Sequence, residues 1–176
     1  MPINNYSATG RRAAPGHQRG DTMIEILVTV IIIAVGVLGA AALQVTTLKN
    51  LSSSHSASVA AFVAEDFGER MRANPVAADA DDYVHAAAPG AYSDCTVATC
   101  TEAELAEFDM GTWWEQLAAV LPSGSGEVTR NAGTDTFVLT VRWDDDRSGS
   151  SGTTCPPQSN VDLECFRLNI TIDVPS

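Results

Sequence analysis

Positive charge is scarce in this chain: ten lysines and arginines stand against 22 aspartates and glutamates, for a net charge of -12 over 176 residues. A nucleic-acid surface needs Lys and Arg to neutralise phosphates, so that class of partner is excluded. The acid excess fits a domain kept soluble after export. Histidine is sparse too, with His17, His55 and His85 scattered along the sequence. The cysteines have C-x4-C and C-x9-C spacing rather than the close pairs of structural zinc sites, so no metal centre is expected. No serine, cysteine or histidine is set beside a base as a nucleophile would be, which leaves no catalytic residue and no cofactor to assign. The acidic runs Asp144, Asp145, Asp146 and Asp79, Asp81, Asp82 lie among loop-forming residues and read as solvated turns before they read as calcium ligands.

Charge of either sign is absent from residues 26 to 48, ILVTVIIIAVGVLGAAALQVTTL. A helix of that length covers about 35 Å, enough to cross a hydrocarbon core of about 30 Å. Residues 1 to 20 hold Arg11, Arg12 and Arg19, no acid, and no hydrophobic period. They read as a targeting segment that stays cytoplasmic while the rest is translocated. Cys95, Cys100, Cys155 and Cys165 all follow the apolar run, so the distal half is expected to meet an oxidising compartment. Three pairings are possible, and neighbour pairing, Cys95 with Cys100 and Cys155 with Cys165, is the one expected.

Beyond Leu48 the sequence turns polar without a helix breaker. Val59, Phe62, Val63, Phe67 and Met71 recur at helical spacing up to Pro75, predicting one helix from about Thr22 to Ala73 whose second half packs on a partner surface. Residues 75 to 101 read as a loop. Thr101-Glu-Ala-Glu104 is a capping box, opening a helix with Leu105, Phe108, Trp113, Trp114, Leu117 and Leu121 and an interruption near Gly111. SGSG at 123 to 126 ends it. A short strand near Glu127 to Arg130 is followed by TFVLTVRW and FRLNITIDV, which alternate as half-buried antiparallel strands do, the last one through Val174. The fold class is α+β, with a long N-terminal helix against a small antiparallel sheet and an extra short helix.

Arg19-Gly20-Asp21 spells an adhesion tripeptide, but on the cytoplasmic side of a span it is set aside. Thr22-Met-Ile-Glu25 can be a capping box, and Glu25 alone could be only a helix cap. The order of features says more: basic segment, glycine, carboxylate five residues on, unbroken apolar span. With ERMRANP at 69 to 75, WWEQLAAVLPSGSGEV at 113 to 128 and VRWDD at 141 to 145, the chain resembles type IV pilins, and more narrowly the minor pilins of the PilV type.

That resemblance implies a pilin ladle: a cytoplasmic leader at 1-20, a transmembrane half-helix at 21-48, an amphipathic half at 49-74 and a periplasmic head at 75-176. It implies a prepilin peptidase cutting between Gly20 and Asp21, N-methylation of the new terminus, and an assembly role for Glu25 as partner to a neighbour's terminal amine. The implied partners are the peptidase, other minor pilins, the major pilin and the inner membrane, and the destination is the pilus at the cell surface. The implied role is to start or tip a pilus, with no enzymatic activity. Asp21 departs from the family pattern, which has Phe at the first mature position. Two rivals remain: a minor pseudopilin of type II secretion, and a secreted soluble domain whose ordinary signal peptide ends after Ala42.

Overall fold

The computed structural model describes residues 21–173, with side chains from Met23 onward. The leader, the Gly20 cleavage position and Val174 lie outside the described residues. No proline interrupts the first 53 of them, and they form a single helix, α1 (Asp21–Ala73). Arg70 and Arg72 sit in its last turn, where cations meet the negative end of the helix dipole. Pro75 cannot continue it.

The described residues divide into two compact units between Thr46 and Thr47. In the first, α1 is apolar on every side and exposed among the described residues, with Ile24, Ile31 and Leu38 all more than 60% exposed. This segment is long and apolar enough to cross a membrane. In the second unit α1 buries one face, formed by Ala60, Val63, Ala64, Phe67 and Met71. The expected stripe also held Phe62, but that ring is 68% exposed. At about 100° per residue, Phe62 lies roughly 200° from Ala64, on the far side of the helix.

The segment expected to be loop after Pro75 begins instead with a short helix, α2 (Pro75–Asp79). Pro75 stands at its first position, where the fixed φ of proline suits a helix and the missing N–H costs nothing. The third helix, α3 (Glu102–Val120), starts at the expected capping box: Glu104 N donates to Thr101 Oγ1 at 3.3 Å and Thr101 N to Glu104 Oε2 at 2.8 Å. It runs through Gly111 without a break. That glycine carries no side chain because the ring of Tyr92 lies against it, where a Cβ would overlap. The buried face of α3 is Ala106, Asp109, Met110, Trp113 and Leu117; Leu105 is exposed and Phe108 packs on Tyr92 outside the core.

Three antiparallel strands, β1 (Ser125–Arg130), β2 (Thr136–Trp143) and β3 (Glu164–Thr171), form a sheet in the order β1-β2-β3. The register sets Val128 opposite Leu139, and Leu139 opposite Leu168. Phe137, Leu139, Val141 and Trp143 of β2 share the core face with Val128 and Ile170, while Phe166 and Leu168 are half-buried at its edge. Strand β1 starts two residues before the expected Glu127, inside SGSG. Gly126 extends it because the ring of Trp113 rests where its Cβ would be. Disulfides join Cys95 to Cys100 and Cys155 to Cys165. The second ties a long loop to β3, and closing its roughly ten residues stabilises the head by up to about 3 kcal/mol. On the outer face Arg142 holds the same loop, donating to Thr153 O at 3.0 Å while pairing with Glu127 at 2.6 Å.

The core face of α1 generates a direct comparison. Phe67→Ala, emptying a fully buried site, is expected to destabilise the head by about 3–5 kcal/mol, whereas Phe62→Ala, at an exposed position of the same helix, should stay within about 0.5 kcal/mol. Thermal unfolding of the full chain in detergent, followed by tryptophan fluorescence, checks this; equal losses would overturn the assignment of the buried face.

Candidate functional site

Glu25 lies near the start of α1 and is exposed, as are Ile24, Ile26, Leu27 and Val28 around it. Its backbone carbonyl accepts the Thr29 hydroxyl at 2.7 Å. Its carboxylate has no ion pair among the described residues, and the surrounding surface is apolar. Such a group is costly wherever water is excluded unless a cation meets it. Asp21 opens α1, and its side chain and the whole of Gly20 lie outside the described residues. The site expected from the sequence is therefore present as one unpartnered carboxylate on an uncovered apolar helix.

A second constellation forms where α1, α2 and α3 meet. Asp109 projects from the buried face of α3 and is only 8% exposed. Tyr83 Oη donates to its Oδ2 at 3.0 Å, and Arg70 Nη1 of α1 lies 3.9 Å from its Oδ1. Arg70 is shared, donating to Asp66 at 2.8 Å and to Thr112 Oγ1 at 3.1 Å. Asn74 Nδ2 donates to Tyr83 Oη at 3.3 Å and to the Glu102 carbonyl at 2.8 Å. Burial raises the pKa of Asp109; the Tyr83 hydrogen bond and the Arg70 charge pull against it, and Asp66 adds to it. Burial, and next the charge of Asp109, push the Tyr83 hydroxyl up as well. The sequence did carry a signal for this cluster: Asp109 falls among Ala106, Met110 and Trp113, a carboxylate on an apolar helical face.

Several carboxylates of the acidic runs hold neighbouring parts of the fold. Asp144 is buried and caps a turn, accepting from Ser148 N at 3.2 Å and Gly149 N at 2.9 Å. Asp145 accepts the Trp143 indole N–H at 3.1 Å. Asp79 and Asp81 pair with Arg130, which also meets Asp135 and lies over the ring of Phe137. Among the described residues no group of three or more His, Cys, Asp or Glu is arranged to hold a metal ion.

A family model described as Type IV pilin Tt1218 matches residues 42–111. No curated protein and no solved structure matches the chain. The matched segment runs from the end of the apolar run through the rest of α1 and α2 to Gly111 of α3. It contains Arg70, Asn74, Tyr83 and Asp109 of the polar cluster, and stops one residue short of Thr112.

That cluster has a pH signature. A carboxyl whose folded pKa lies above its unfolded value binds its proton more tightly in the folded state, so its contribution to stability improves as pH falls through that window. Asp109→Asn keeps an acceptor for Tyr83 and removes the titration. The wild type should therefore gain stability relative to Asp109→Asn as pH falls from neutrality through the ordinary carboxylate range. Denaturant unfolding of both proteins across that range tests it, and a difference independent of pH would refute it.

Proposed function

On the strength of the type IV pilin family model that matches residues 42–111, we propose that the chain is a minor pilin, a structural rather than catalytic subunit. A prepilin peptidase cuts after Gly20 and methylates the new terminus at Asp21. The chain is held in the inner membrane by residues 21–48, with the leader cytoplasmic and the head periplasmic, and it joins other minor pilins and the major pilin in a complex that initiates or tips a pilus.

The observation that carries this reading is the carboxylate of Glu25, without an ion pair among the described residues, on an exposed apolar helix. A terminal α-amino group has a pKa near 8 and is largely cationic at neutral pH. On a neighbouring chain, the amine of residue 21 supplies the missing cation, and the two helices can then pack side by side with their charges matched. The new terminus and the carboxylate are four residues apart on one helix, so each subunit offers one group of each sign. Asp21 places a second carboxylate beside its own amine, which weakens this docking relative to a chain with an apolar first residue.

The test separates processing from assembly. Glu25→Ala is expected to be cut normally, leaving Asp21 as the mature terminus, and to remain in the membrane. Its co-purification with other pilin-like subunits should fall at least about tenfold, since leaving the partner's charge uncompensated in a low-dielectric site costs roughly 3–5 kcal/mol. Undiminished co-purification would sink the role of Glu25, and a mature terminus at Leu43 would replace the pilin reading with a secreted domain.

A further inference from the structure

Of the seven lysines and arginines among the described residues, four are held in ion pairs and Arg167 lies apart on β3. Arg70, Arg72, Arg130 and Arg142 each meet a carboxylate. Lys49 and Arg147 have no ion pair among the described residues, and they line one cleft of about 270 Å³ together with Ser52, Asp145 and Asp146. Two elements converge there. Lys49 and Ser52 belong to α1; the other three belong to the turn after β2.

That turn is fixed from below. Asp144 is buried, its N–H donates to the Pro122 carbonyl at 2.8 Å, and its carboxylate binds the N–H groups of Ser148 and Gly149. Arg147 sits at φ 54°, a left-handed conformation that an arginine adopts only when its surroundings enforce it. Asp145 is oriented by the Trp143 indole, and Asp146 accepts from Ser148 N at 3.1 Å. The hydroxyl and N–H of Ser148 hold the Asp146 carboxyl below its usual range, so it is charged at neutral pH. The cleft thus presents two cations and two carboxylates from a rigid platform.

Its depth along the chain is informative. Lys49 directly follows the uncharged run that ends at Leu48. At 1.5 Å per residue, Lys49 to Ser52 lie about 2–6 Å beyond the end of that run. A bilayer's headgroup layer is roughly 5–7 Å deep on each side, the difference between a 30 Å core and a 40–45 Å whole. If the run spans the hydrocarbon, as the proposed function requires, the cleft opens at the level of the lipid headgroups.

We propose that this cleft binds the zwitterionic headgroup of a phospholipid bearing a primary ammonium, with its phosphate toward Lys49, Arg147 and the Ser52 hydroxyl and its ammonium toward Asp145 and Asp146. The mixed charge selects the headgroup. A purely anionic lipid satisfies the cations but faces two carboxylates, and a choline headgroup has no N–H to donate to them.

Native mass spectrometry of the full chain in detergent, with phosphatidylethanolamine, phosphatidylcholine and phosphatidylglycerol added separately, tests this. Phosphatidylethanolamine should be retained about tenfold more than phosphatidylcholine, the scale of one hydrogen bond between charged groups. Arg147→Glu should abolish that preference, and Asp146→Asn should shift it toward phosphatidylglycerol. Equal retention of the three lipids, or a preference unmoved in either variant, would overturn the proposal. Soluble glycerophosphoethanolamine is the arm for a free headgroup: weak binding supports a lipid ligand, and binding as tight as the lipid's would overturn it. The membrane reading is scored apart, by carbonate extraction of the wild-type chain from cell membranes. Release into the soluble fraction would count against anchoring, whereas lipid retention in detergent reports on the cleft itself.

Discussion

Phe67 stacked on Trp113 is the contact on which the head depends. The rings are nearly parallel, 15° apart with centroids at 4.4 Å, and Tyr83 meets Phe67 edge-on at 5.9 Å. Trp113 also covers Gly126, so α1, α3, β1 and the loop after α2 all converge on one aromatic group. Burying a ring of 150–250 Å² contributes roughly 4–6 kcal/mol before entropy is counted. The indole N–H of Trp113 is buried without a hydrogen-bond partner among the described residues, and such an orphan costs about 1–3 kcal/mol. The apolar term is larger, which explains why a tryptophan stays where its N–H finds no acceptor. Gly126 is the concession that allows it, since any side chain there would lift the ring away from β1.

The buried polar cluster shares the helical faces that make this stack. Phe67 and Arg70 are three residues apart on α1, and Asp109 and Trp113 are four apart on α3, so an apolar contact and an ionic one lie a single turn from each other. Their effects differ. Desolvating Asp109 takes back much of what its attraction to Arg70 supplies, as the raised pKa of the carboxyl records. The stack supplies stability, while the bonds of Asp109 to Tyr83 and of Asn74 to the Glu102 carbonyl fix register. Slipping α3 by one turn against α1 would leave a carboxylate and an amide buried without partners. The apolar contact alone would tolerate that slip more readily.

Periodicity carried most of the fold. The 2.0 repeat of TFVLTVRW marks β2 from end to end, the capping box locates the start of α3, and the lack of any breaker between the apolar run and Ala73 makes α1 one helix. What the pattern misplaced were residues whose role is set from elsewhere in the chain. Phe62 matches a helical stripe as well as Val63 does, and only the choice of Ala60 and Ala64 as the contact line turns it outward. Gly111 looks like a breaker in isolation; the facing ring is Tyr92, nineteen residues earlier. At the site, Glu25 was legible because a carboxylate against an apolar run is anomalous within a short window. The cleft of Lys49 and Arg147 was not, because its two cations are nearly a hundred residues apart and each is unremarkable in its own segment.

The same helix must satisfy two environments, and magnitudes decide whether Glu25 forbids that. The run from Ile26 to Leu48 contains thirteen valines, isoleucines and leucines. On insertion scales these supply together about 4–8 kcal/mol in favour of the bilayer. A carboxylate at the centre costs about 3 kcal/mol there, and less near an end, where it can reach the interface. Insertion therefore prevails, but with a residual cost localised on one residue. Within the chain nothing described relieves it. Under the proposed processing, a second chain with a cationic terminus would relieve it, and only when two such helices lie side by side. For the proposed pilin, the acid would be too weak to keep the helix out of the membrane and strong enough to make a solitary helix there less stable than a paired one, which is the energetic ordering a self-assembling subunit needs.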